Sequence, residues 1–119
     1  MSRSQTKRKQ ALRYNQSKRA WSLVDYKSLE PMIEVLEFGA VKYAPDNWKL
    51  GLNQLEILES MQRHLADLID QVKEGKPGID SDSKLKHMGH IQCNAMFYNY
   101  HERNGSFSKE RNSPFKKSK

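Results

Sequence analysis

The chain has 119 residues, of which 36% are hydrophobic and one is a cysteine, and its formal net charge is +7. That length holds one domain at most. A lone cysteine, Cys93, excludes an internal disulfide framework and fits a reducing cytosol, no apolar run nears the ~20 residues of a membrane span, and no apolar segment follows the basic N-terminus as in a secretory signal.

The charge is unevenly spread. Residues 1–20 carry +7 with no acid, and residues 103–119 carry +5, which leaves −5 for residues 21–102. Both ends are rich in Ser, Lys, Arg and Asn and poor in aliphatic residues. Both read as basic, largely disordered tails flanking an acidic helical domain at 21–102. Such tails suit attraction to nucleic acid or other polyanions.

After a lead-in at 21–29, which can hold a short helical piece, Pro31 can occupy the first turn of a helix over about 29–43. Met32, Ile33, Leu36, Ala40 and Tyr43 recur at helical spacing, and Glu30, Glu34 and Glu37 form a carboxylate stripe. Pro45, Asp46, Asn47 and Gly51 mark a loop. Asn53, with Glu56 three residues on, predicts an N-cap and a helix over about 54–73. Its apolar side is Leu55, Leu58, Met61, Leu65, Leu68, Ile69 and Val72, with His64 beside it. The stretch EGKPGIDSDSK reads as a loop, and a third helix covers about 84–102, with Gly105 just past its end. No segment alternates as a strand does. The class is all-α, a small bundle of three main helices whose apolar edge is best buried against another copy, as a dimer or tetramer.

On the third helix His87, His90, Asn94, Tyr98 and His101 fall on one line. That line is either a polar outer face or a site. Helix bundles build divalent-metal sites from acids and histidines on facing helices. The candidates here are Glu34 and Glu37 on the first helix, Glu59 and Asp67 on the second, Asp80 and Asp82 in the loop, and His87 and His90 on the third. Carboxylates suit Mg²⁺ or Mn²⁺, and imidazole shifts preference toward Mn²⁺, Co²⁺ or Zn²⁺. Such an ion would let an acidic domain receive a polyphosphate. Lys42, Lys49 and Arg63 offer positive charge to phosphates, Trp48 and Tyr43 offer stacking surfaces, and Asn47 can read a base edge. No histidine is followed by Asp, and both HExxH and GxxxxGK[ST] are absent, so HD-type phosphohydrolases, zincins and P-loop NTPases are excluded.

Three runs in order, LEFGAVKYAPDNWKLG, ILESMQRHL and DSDSKLKHMGHIQCNAMF, resemble the small phage and bacterial dATP/dGTP diphosphohydrolase family, related to the MazG-like nucleotide pyrophosphohydrolases. The matching residues are Phe38, Gly39, Ala40, Lys42, Tyr43, Asn47, Trp48 and Gly51, then Glu59, Arg63 and His64, then Asp80, Asp82, Ser83, His87, His90 and Asn94. Lys18 and Lys84 stand where that family usually has Gly. The resemblance covers roughly residues 13–101. It implies metal-dependent hydrolysis of a purine deoxynucleoside triphosphate, dGTP or dATP, to monophosphate and pyrophosphate in the cytoplasm, the host's if the chain is phage-encoded. The ion would be Mg²⁺, or Mn²⁺ or Co²⁺. Its implied ligands are Glu59, Asp82, His87 and His90, with Glu37 and Asp80 behind them. Glu59, Lys42, Arg63 and His64 would be catalytic, and Lys42, Tyr43, Asn47, Trp48 and Asn94 would bind substrate. The competing reading is a non-enzymatic nucleic-acid-binding protein acting through its tails.

Overall fold

The computed structural model describes residues 10–14 and 16–112. The segment 1–9 and the last seven residues, where most of the tail charge lies, fall outside them. Three α-helices dominate: α1, Glu30–Lys42; α2, Gln54–Lys73; and α3, His87–Asn104. Single 3₁₀ turns occupy Trp21–Leu23, Tyr26–Leu29 and Asn47–Leu50. Isolated bridges, Asn53 with Ser108 and Ile79 with Lys86, are the extended pairings among the described residues.

Local chemistry accounts for the helix ends. Pro31 lies in the first turn of α1, where its missing N–H costs nothing, and Lys42 in the last turn complements the helix dipole. Asn53 caps α2 by accepting the Glu56 N–H at 3.0 Å. Gly75, at φ 71°, ends α2 in the left-handed region, and the Lys76 N–H returns to the Gln71 carbonyl at 2.8 Å. Gly105 ends α3 in the same way, with the Ser106 N–H on the His101 carbonyl at 2.9 Å.

α3 is the middle element, packed on α1 along one side and on α2 along the other. Gly89 makes the α1 contact close, because a side chain there would run into the backbone of Pro31. Among the described residues the buried apolar side chains are Val35, Ile57 and Cys93, and the buried polar ones are His87 and His101. A core this small leaves apolar surface outside. Leu58, Leu65, Ile69 and Val72 follow one face of α2 and are 40%, 47%, 45% and 64% exposed. No helix of the described residues is long and apolar enough to cross a membrane.

Two boundaries differ from the sequence reading. α3 starts at His87 rather than near residue 84 because residues 80–86 fold into a tight turn. There the Asp80 N–H donates to the Leu85 carbonyl at 2.8 Å and the His87 N–H to the Gly78 carbonyl at 2.9 Å. The domain also continues beyond residue 102. Residues 106–112 form a strap against the start of α2, with the Ser108 N–H on the Leu52 carbonyl at 2.8 Å and Phe107 on the Tyr98 ring. These contacts outweigh the local polarity that made the segment read as part of a tail.

Candidate functional site

The polar line on α3 faces inward. Its last member, His101, is fully buried, bonded through Nδ1 to Ser106 Oγ at 2.7 Å and donating from Nε2 to the Trp48 carbonyl at 2.8 Å. It joins the strap to the turn before α2 and serves the fold. Trp48 is part of the same packing, stacked on Phe97 with centroids 4.7 Å apart and edge-on to Tyr100 at 4.9 Å.

The first members of the line meet α2 and the 80–86 turn. His64 of α2 and His87 of α3 bring their Nδ1 atoms to 2.9 Å. The His64 ring also stacks on His90, 4.4 Å away and 3° from parallel. The turn supplies Asp80, whose Oδ2 accepts the Ser83 N–H at 2.8 Å, and Ser83, whose Oγ lies 2.7 Å from His90 Nε2. Asp80 Oδ2 and His90 Nε2 are 3.9 Å apart. One nitrogen from each of His64 and His87 and one Asp80 oxygen all lie within 4.8 Å of one another.

The environment sets the charges. Burial lowers the His64 pKa from the usual 6.5, helped by the neighbouring His90 and opposed by Asp80. Burial likewise lowers that of His90, against the opposing pull of Asp80. Burial alone would raise Asp80, yet the Ser83 hydrogen bonds and the two imidazoles outweigh it and hold the carboxyl below its usual range. Neutral imidazoles beside an ionised carboxylate are the protonation states that ligate a cation.

The spacing fits one as well. Neighbouring ligands of an ion with bonds of ~2.0–2.1 Å sit roughly 3 Å apart, close to the His64–His87 separation. The same distance accommodates a shared N–H···N hydrogen bond, so the pair is compact with or without an ion.

The remaining expected residues are not among the three whose ligand atoms converge. Glu59 accepts from Arg111 Nη2 at 3.0 Å, and Arg111 Nε is 3.9 Å from Glu56 Oε2. Asp82 is exposed on the turn and Glu37 on α1. Lys42 lies over the rings of Phe38 and Tyr43, while Arg63, Tyr43 and Asn47 are exposed. Asn94 is one turn from His90, with Nδ2 donating to Ser60 Oγ at 3.1 Å and to the His90 carbonyl at 3.1 Å. Ser60 and Arg111 were not expected. Ser60 lies four residues before His64 and so on its face, which spacing could have revealed. Nothing local connects Arg111 to a carboxylate 52 positions earlier.

The family model described as dATP/dGTP diphosphohydrolase, N-terminal, matches residues 8–111. A dATP/dGTP diphosphohydrolase of Salmonella phage PMBT28 is 30% identical over 86 residues, which cover 72% of this chain and 28% of that relative. The chain therefore matches less than a third of the relative's length. No solved structure matches it.

Proposed function

Because the chain belongs to the dATP/dGTP diphosphohydrolase N-terminal family, we propose that it is a metal-dependent pyrophosphohydrolase. It would convert a purine deoxynucleoside triphosphate to the monophosphate and pyrophosphate. The convergence of His64, Asp80 and His87, with ligand atoms within 4.8 Å of one another, carries this reading. These three would hold the ion, and His90, through Ser83, would keep Asp80 oriented. Two imidazoles and one carboxylate favour Mn²⁺ or Co²⁺ over Mg²⁺. When bound, the ion would neutralise phosphate charge and help activate the attacking water. Lys42 and Arg63 would add charge to the phosphates, and Glu59, once parted from Arg111, would accept the water's proton. Glu37 and Asp82, both exposed, would join the ligands only by moving inward or across a partner copy.

A second copy belongs to the proposal. The exposed row Leu58, Leu65, Ile69 and Val72 on α2 is the kind of face a four-helix arrangement buries. Leu65→Glu with Ile69→Glu should convert an oligomer to a monomer by light scattering, and an unchanged mass would reject that face.

The functional test is a product assay with each dNTP and NTP in Mg²⁺, Mn²⁺, Co²⁺ or EDTA. Metal-dependent monophosphate and pyrophosphate from dGTP or dATP are expected. His90→Ala should abolish that turnover while helix content persists. Diphosphate plus phosphate as products would reject the bond assigned, and no turnover with any metal would reject the enzyme.

A further inference from the structure

The strap that follows α3 is held unevenly along its length. Its root is firm. The Ser106 N–H donates to the His101 carbonyl at 2.9 Å, and Ser106 Oγ lies 2.7 Å from Nδ1 of the same fully buried histidine. Farther on, three contacts lay it across the start of α2. The Ser108 N–H donates to the Leu52 carbonyl at 2.8 Å, Asn53 Nδ2 donates to the Ser108 carbonyl at 3.3 Å, and Arg111 Nη2 donates to Glu59 Oε1 at 3.0 Å. The Arg111 and Glu59 side chains keep 28% and 35% of their surface in solvent, so water and salt compete with their pairing.

In this position the strap obstructs the reaction in two ways. A guanidinium on Glu59 occupies an oxygen of the carboxylate assigned to take the proton of the attacking water. The strap also closes one side of the groove between α2 and α3: Ser108 and Asn112 face Ile57, Ser60 and Asn94 across a space of about 250 Å³. Pockets that bury a whole small molecule measure ~300–1,000 Å³, so the closed groove is too small for a nucleoside triphosphate. The closed position carries a cost of its own. Glu56 Oε2 is buried beneath it with no hydrogen-bond partner among the described residues, and Arg111 Nε stays 3.9 Å away. Lifting the strap would let water reach that oxygen, which favours opening.

We infer that residues 108–112 are an autoinhibitory lid that pivots on the Ser106–His101 anchor, and that Arg111 is its latch. Opening breaks the Ser108 contacts with Leu52 and Asn53 and parts Arg111 from Glu59. One movement then frees the carboxylate and widens the groove. The inference rests on the enzyme reading above and adds its regulation. Only the open form turns over substrate, so kcat/KM follows the open fraction. Whatever weakens the Arg111–Glu59 pair raises activity until the lid is open most of the time.

The test compares the full chain with Arg111→Gln and Arg111→Lys. Native-state hydrogen exchange reads the lid without any substrate: the Ser108 amide reports opening, and the Ser106 amide, on the anchor, is the control. Arg111→Gln should speed exchange at Ser108 by ~3–10-fold and leave Ser106 unchanged, and Arg111→Lys, which keeps the charge, should restore most of the protection. On dGTP or dATP, kcat/KM of Arg111→Gln should rise by the same factor as the exchange, with Arg111→Lys in between. Unchanged Ser108 exchange in Arg111→Gln would overturn the latch. Faster exchange with kcat/KM level or reduced would overturn autoinhibition and leave Arg111 a structural tie. If no variant hydrolyses any nucleotide, autoinhibition falls with the enzyme reading, and the exchange ratio alone decides whether Arg111 holds the strap.

Discussion

Replacing Gly89 by alanine tests the contact on which the histidines depend. In an ordinary helix interior the change stabilises by about 1 kcal/mol, because glycine loses more backbone freedom on folding. Here the new Cβ would overlap the Pro31 carbonyl oxygen and lie 2.8 Å from its carbonyl carbon and 3.2 Å from its Cβ. Carbon atoms in good contact are ~3.5–4.0 Å apart, so α1 and α3 must separate by roughly 1 Å. The obstruction is backbone in the first turn of α1, and no side-chain rotation relieves it. Overpacking of this kind costs ~1–3 kcal/mol. After the gain in helix propensity, Gly89→Ala should destabilise by up to about 2 kcal/mol. Gly39 is the internal control: it lies inside α1, and a Cβ there meets nothing within 4 Å. Gly39→Ala should therefore stabilise by up to about 1 kcal/mol. Urea denaturation followed by circular dichroism measures both. If Gly89→Ala is as stabilising as Gly39→Ala, the close crossing of α1 and α3 is wrong.

Lys84 is held at φ 65°, in the left-handed region that favours glycine, so Lys84→Gly should raise stability by about 1 kcal/mol, and a loss in the same urea assay would refute this. His64 and His90 have lowered pKa values in the fold and the ordinary 6.5 when unfolded. The unfolded chain then binds more protons below that value, so stability in EDTA should be level above pH 6.5 and decline below it. Asp80, also lowered, keeps its contribution until the pH drops below its usual 3.8. Urea midpoints that rise on acidification from about pH 7 to about pH 5 would contradict the assignment. Cys93 is buried with its thiol pushed up to about 12 and donating to the Met32 carbonyl at 3.3 Å. It should resist a thiol reagent in the native protein and react on denaturation, and rapid native labelling would show that α1 and α3 part easily.

Much of the helical frame was legible because short-range chemistry sets it. Asn53 reaches only three residues along to stop the unravelling of α2, and Gly75 and Gly105 end helices through bonds to carbonyls a turn behind. The spacing of His87, His90 and Asn94 also followed from helical period alone. Which way that line faced did not. A row of imidazoles and amides has the composition of an outer face, and only the packing of α3 between α1 and α2 turned it inward against His64 and Ser60. The same holds for Asp80 and Ser83, brought onto the histidines by a folded turn, while the neighbouring Asp82 stays exposed. Glu59 looked available from its helix position, yet it is taken by Arg111 from a strap whose residues resemble a tail. Local hydrogen bonds depend on neighbours in the chain and can be read in order. The partners of His64, Glu59 and Trp48 are 23, 52 and 53 residues distant and are chosen only when the helices pack.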